Sequence, residues 1–189
     1  MISLIIETYG RLHITEAKNQ AGAVVRSLMD GQIIHGEQVM DPEHRILPTL
    51  YFRPKSGVDM AARHYNQVEG RRIGAIGLGA GTIATYAAHG DVLRFYEINP
   101  AVVKAAKNYF YYLQDCKADY EIILGDARIS LEREFKKTGG HNFHILIVDA
   151  FSNDTIPVHL LTKEAFSLYW KHLRPDGILA LHISNAYLD

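Results

Sequence analysis

The sequence has one cysteine, one tryptophan, no run of basic residues and no long apolar stretch. Each shortage excludes something. Cys116 alone cannot form an internal disulfide, which fits a reducing, cytoplasmic setting. A net charge of −1 with no Lys/Arg stripe gives no electrostatic footprint for nucleic acid. No segment approaches the roughly 18 consecutive apolar residues that a bilayer-spanning helix needs, so no membrane insertion by this chain is expected. The N-terminus carries a short apolar run with no basic start and no small-residue cleavage site, so it reads as a strand and not as a signal peptide. The ten histidines share no ligand spacing such as H-E-x-x-H, so no metal is expected.

What is present suits a folded domain. The chain is 48% hydrophobic over 189 residues, enough to bury a substantial core. Residues 1–52 read as an antiparallel β-hairpin region: apolar runs flank Gly10, and Asp30-Gly31 between two more predicts a type I′ turn. Residues 53–189 read as one α/β domain. A short helix is expected over 56–67, then five apolar strands alternating with helices, which implies right-handed βαβ units in a parallel sheet. Helices are expected over 82–89, over 100–113 with Asn99-Pro100 at the start, over 127–135, and over 163–173 behind Thr162. Pro175-Asp176-Gly177 predicts a turn before the last strand, and Tyr109–Tyr112 is expected on a helix, as core and interface.

Ligands of open α/β sheets sit beyond the carboxyl ends of the strands. In this chain those ends deliver Gly77-Leu78-Gly79-Ala80-Gly81, then Glu97, Gly125-Asp126-Ala127, Asp149, and Ser184-Asn185. Glycines let a ligand approach the backbone at a helix start, or simply make a tight turn. Thr82 stands where a dinucleotide fingerprint wants its third glycine, which counts against a nicotinamide enzyme. Glu97, 16 residues beyond Gly81, can accept both ribose hydroxyl protons, or be a solvated strand-end acid. Asp126 can read the adenine edge beside the Ala127 N–H, cap the next helix, or do both. Asp149, at the mouth of an apolar strand, either caps the next segment or works on substrate. Asp154 lies in the polar loop that follows. His159 and His182 read as hydrogen-bonded structural residues, and Cys116 as inert.

Taken together, Leu28–Gly31, Gly77–Gly81, Glu97–Pro100, Gly125–Ala127, Asp149–Thr162, Pro175–Gly177 and His182–Asn185 resemble the polyamine aminopropyltransferase (spermidine synthase) family, in particular its spermidine-synthase-like subgroup. The resemblance covers most of the chain. It implies a Rossmann-like class I S-adenosylmethionine-methyltransferase-type parallel sheet with an N-terminal β-hairpin region. It also implies S-adenosylmethionine or its decarboxylated form as co-substrate, and a small-molecule amine as acceptor. Glu97 and Ile98 then hold the ribose, Asp126 and Ala127 the adenine, and Gln38 lies near the nucleotide. Gly77, Gly79, Ala80 and Gly81 form the cofactor turn. Asp149 is the catalytic acid, with Tyr51, Ser152 and Asp154 on the substrate side.

The chain also departs from that family. The family's aspartate inside the glycine turn, which grips the amine of the decarboxylated nucleoside, is Ala80 here. Its second aspartate, three residues after the active-site acid, is Ser152. Its tyrosine-x-glutamate has no clear counterpart between Tyr51 and Asp59. These losses leave three functions in view: aminopropyl transfer, methyl transfer from S-adenosylmethionine itself, and a non-catalytic nucleotide-binding domain. The family also continues past the fifth strand with an antiparallel hairpin, so the sheet is expected to lack its last strands and its open edge to favour a homo-oligomer.

Overall fold

The computed structural model describes residues 2–4, 12–150 and 156–183. Gly10, Ser152, Asp154, Ser184 and Asn185 lie outside the described residues. Four strands, β1 (Ile2–Leu4), β2 (Leu12–Lys18), β3 (Val24–Asp30) and β4 (Ile33–Val39), form an antiparallel meander in the order β1-β2-β3-β4. The hairpin joining β3 to β4 is not the expected turn. Asp30 pairs with Ile33, so Gly31 and Gln32 are the central residues, and of these only Gly31 has positive φ, at 60°. Glycine alone at the first central position is the type II′ pattern. The register then shifts between Leu28↔Gly36 and Met29↔Ile34, which leaves His35 as the extra residue of a bulge on β4. Bulges bend a strand and re-aim side chains.

A three-residue 3-10 turn (Leu50–Phe52) and α1 (Gly57–His64, capped by Ser56) lead into the second sheet. That sheet contains β5 (Arg72–Ile76), β6 (Val92–Glu97), β7 (Asp119–Leu124), β8 (Phe143–Val148) and β9 (Leu173–Leu181). All its pairings are parallel, in the order β7-β6-β5-β8-β9. The chain runs outward from β5 to β7, then crosses to β8 on the other side, so the order reverses between β5 and β8. A crevice at the carboxyl ends of those two strands follows. Helices α2 (Pro100–Tyr109), α3 (Ala127–Thr138) and α4 (Lys163–His172) are capped by Asn99, Asp126 and Thr162 as their sequences predict. Among the described residues, no helix is long and apolar enough to cross a membrane.

Three further sequence expectations differ from the structure. Residues 82–89 hold only a 3-10 turn, Thr82–Tyr86. Three of those five residues are β-branched, and Asp91 takes the Ala88 N–H to bring the chain back. Helix α2 stops at Tyr109, so only the first residue of the aromatic run is helical: Phe110 turns extended and is buried with Tyr112. The Pro175-Asp176-Gly177 turn lies within β9, as a bulge where pairing jumps from Phe143↔Leu173 to Ile145↔Ile178.

The two sheets share a core. Leu12, Ile14 and Leu28 of the meander pack with Ala80, Ala105, Phe110 and Tyr112. The contact is closest at the glycine turn. A Cβ on Gly79 would stand 2.4 Å from the His35 carbonyl oxygen, and one on Gly36 would stand 2.6 Å from the Ala80 Cβ. Gly79 has φ +53, so both backbone conformation and space demand glycine there. Gly79→Ala is therefore expected to destabilise the fold by at least about 1–3 kcal/mol. Urea denaturation checks this; an unchanged midpoint would mean that β4 is not seated on the turn.

At the opposite end of the sheet, Arg71 and Asp91 form a buried pair. Asp91 accepts from Arg71 Nη2 (2.6 Å) and Nε (3.0 Å) and from the backbone N–H of Arg71 (2.7 Å) and Ala88 (2.7 Å). Arg71 Nη2 also donates to the Tyr86 carbonyl at 2.9 Å.

Candidate active site

The crevice at the order reversal contains a cavity of about 230 Å³. Glu97, Asp126 and Asp149 all line it, together with Gly77 and Gly79 of the turn. Each acid arrives because a strand ends there, and backbone bonds carry the strands slightly past their ends. Gly77 N–H donates to the Tyr96 carbonyl, Gly125 N–H to the Glu97 carbonyl and Asp149 N–H to the Ile76 carbonyl, at 2.9, 2.8 and 2.8 Å.

Glu97 is almost wholly buried. One carboxylate oxygen accepts the Leu78 N–H at 3.0 Å and the other the Asn99 N–H at 2.8 Å. Burial pushes its pKa above the ordinary glutamate value, opposed by those backbone donors. A carboxylate offers about four lone-pair directions, so it can still accept further protons from a diol in the cavity. Ile98, 68% exposed, stands at the rim.

Asp126 does cap α3: Oδ1 accepts the Ile129 N–H at 2.9 Å. Its Oδ2 lies 2.9 Å from Nε2 of His159, which also lines the cavity. Arg128 holds that segment by donating to the His159 carbonyl at 3.1 Å. Ala127 completes this wall.

Asp149 occupies the other end. Oδ1 is 2.6 Å from His182 Nδ1, and Oδ2 is 3.4 Å from the Tyr51 hydroxyl. The Tyr51 and His182 rings stack with centroids 3.7 Å apart. Leu50, just before Tyr51, has φ 50, an uncommon conformation for leucine that sets the approach of this turn. Burial raises the Asp149 pKa; hydrogen bonds from His182 and Tyr51 and the fields of His182 and His35 oppose it. Burial and the neighbouring carboxylate push the Tyr51 phenol up strongly. His35 enters the cavity from the bulge on β4, and Asp30 from the end of β3.

Other expected site residues lie elsewhere. Gln38 is fully buried, with Nε2 donating to the Arg45 carbonyl and Oε1 accepting the Tyr111 N–H, at 2.9 and 2.8 Å. Its amide is spent on tying β4 to the segment after α2, and it does not line the cavity. Ala80 is 1% exposed and packs in the core between the sheets, because its Cβ points at Gly36. Gly81 caps the 3-10 turn with φ +91, against Leu113. His182 and His159 are hydrogen-bonded as the sequence predicts, but their partners are the site acids. For His182 the strand register supplies the pairing: Val148 pairs with Leu181 in parallel, so the next residue along each strand is Asp149 beside His182.

The strand order and the crevice define a Rossmann-like fold of the class I S-adenosylmethionine-methyltransferase type, preceded by an antiparallel sheet. The comparisons agree. A probable spermidine synthase of Corynebacterium glutamicum superposes with a TM-score of 0.70 at 18% identity, over 90% of this chain and 60% of that one. Human methyltransferase-like protein 13, solved with SAH, superposes with a TM-score of 0.51 at 13% identity, over 65% of this chain and 58% of that one. In sequence, the chain is 29% identical over 155 residues to a polyamine aminopropyltransferase of Vibrio vulnificus, covering 79% of this chain and 48% of the relative. The chain thus spans about half the length of that relative. No protein-family model matches it.

Proposed function

We propose that this chain is a transferase of the polyamine aminopropyltransferase kind, which binds an S-adenosyl nucleoside in the cavity and moves an alkyl group from its sulfonium to an amine. The carrying observation is that Glu97, Asp126 and Asp149 line one cavity above the glycine turn. Glu97 takes the ribose hydroxyls, the Asp126–Ala127 wall takes the adenine, and Asp149 faces the acceptor. The low-identity likeness to a polyamine aminopropyltransferase supports the reading.

In this reading the amine lone pair forms a bond to the carbon on sulfur. The lone pair is freed when the ammonium form of the amine gives one proton to Asp149; the S–C bond then breaks with its electron pair going to sulfur, which leaves a neutral thioether and the alkylated ammonium. An alkylamine of pKa near 10.4 costs roughly 4–5 kcal/mol to deprotonate at pH 7. A buried carboxylate whose pKa is raised offsets part of this cost. Alignment of the reactants recovers about 7–11 kcal/mol more.

Calorimetric titration with S-adenosylmethionine and its decarboxylated form tests the reading. Preference for the decarboxylated form is expected. Methyl transfer is the second reading; preference for S-adenosylmethionine would select it. Silence from both would remove both. Glu97→Gln is expected to weaken nucleoside binding by about 1.5–3 kcal/mol for each charge-assisted bond lost, roughly 10- to 150-fold. In the wild type, affinity should fall on acidification from a point above 4.5, because burial raises the Glu97 pKa and the ribose needs the ionised form.

A further inference from the structure

Two oxygens of one carboxylate meet different surroundings. Asp149 Oδ1 is engaged by His182 Nδ1 at 2.6 Å, whereas Oδ2 has only the long 3.4 Å contact to Tyr51 among the described residues. The imidazole is fixed from three directions. The strand register sets its backbone, with the His182 N–H donating to the Val148 carbonyl at 3.0 Å. The Tyr51 ring stacks on its face, and Asp149 takes its Nδ1. When Asp149 is ionised it can only accept, and the proton of this contact then lies on Nδ1.

We propose that His182 is the positioning residue of this site. By donating Nδ1–H to Oδ1 it turns Oδ2 of Asp149 toward the acceptor. Tyr51 acts with it, as the plate that holds the imidazole in plane. The inference rests on the transfer reading given above, and it deepens that reading by dividing the labour between the two oxygens of the acid. The groups that face Asp149 are His182 beyond β9, Tyr51 from the 3-10 turn and His35 from β4. His35 adds field, but no hydrogen bond from it to Asp149 is present among the described residues. His182 alone fixes one oxygen at short range.

The division has a distinctive signature. Removing a donor that favours the charged form raises the acid's pKa. The acid limb of the kcat/KM profile in His182→Ala should therefore move to higher pH, and turnover should fall on the order of 10- to 100-fold, the range for partners that orient a working ligand. His182→Asn places an amide N–H near the position of Nδ1, and should restore most of both. Nucleoside affinity should be unchanged in either variant, since the ribose and adenine walls lie elsewhere in the cavity.

The Asp149 γ-carboxyl titration, followed by ¹³C NMR and assigned against Asp149→Asn, reads the same pairing without any acceptor. A midpoint that rises in His182→Ala and returns in His182→Asn, with turnover following it, is the expected result. An unmoved midpoint, or equal loss of turnover in both variants, overturns the assignment. If His182→Ala does not fold, the wild-type ring ¹⁵N spectrum decides: a protonated Nδ1 supports the pairing, and a bare one overturns it. A normal titration response in a protein that transfers nothing to any amine would remove the transfer reading and leave the pairing intact, so the two failures are told apart.

Discussion

Asp149→Asn should lower alkyl transfer by about 10²–10⁴-fold, the usual contribution of a positioned proton acceptor. The amide keeps the size of the side chain, and its oxygen can still accept from His182, but the NH₂ turned to the cavity cannot take a proton. Nucleoside affinity should stay within about tenfold, or 1.4 kcal/mol, because Glu97 and the Asp126–Ala127 wall are untouched. Single-turnover kinetics with saturating nucleoside measure the first, and calorimetry the second; full activity would end the catalytic assignment. Stability should move the other way. The folded pKa of Asp149 lies above its ordinary 3.8 because the side chain is buried. Its contribution to stability is therefore fully present below pH 3.8 and is lost as pH rises through the folded value. At neutral pH the neutral amide should be at least as stable as the native residue. That advantage should shrink on acidification, which melting curves at the two pH values will show.

Asp91→Ala should cost about 3–5 kcal/mol of folding free energy, the usual result of breaking a buried pair from one side. Among the described residues it would leave the buried Arg71 guanidinium with only the Tyr86 and Ala62 carbonyls as acceptors. It would also leave the Arg71 and Ala88 N–H groups without their acceptor. Urea denaturation measures the loss. Because the pair sits before β5 and β6, at the end of the sheet away from the cavity, nucleoside affinity measured where the variant is folded should match the wild type. A loss below about 1 kcal/mol, the size typical of exposed ion pairs, would contradict the burial.

The parallel sheet was legible because its strands are short apolar runs separated by well-capped helices; Asn99, Asp126 and Thr162 each mark a helix start by side-chain chemistry alone. The acids at the strand ends were legible for the same reason: once a strand is placed, its last residue is placed. Position along the chain could not show where the meander would dock. Hence Gln38, polar and near the right segment, read as a ligand contact, whereas the fold spends both ends of its amide on itself. Ala80 read as part of a ligand turn, yet faces the seam between the sheets. The long α2 failed because helical spacing of apolar residues cannot distinguish a continued helix from an extended segment burying Phe110 and Tyr112 against another sheet. Ser152 and Asp154 lie outside the described residues, so their expected place on the substrate side stands as a proposal.

Seating Ala80 against Gly36 couples two places far apart in the chain. A carboxylate at position 80 would stand in the core that holds Leu12, Ile14, Leu28 and Phe110, where a buried charge is costly unless it is paired. Introducing an acid into the glycine turn by that single exchange would therefore disrupt the joint before it altered any ligand preference. Whoever wishes to retune the tail end of the nucleoside pocket must begin by re-cutting strand β4, or work from Asp30 and His35, which the same joint already delivers to the cavity wall.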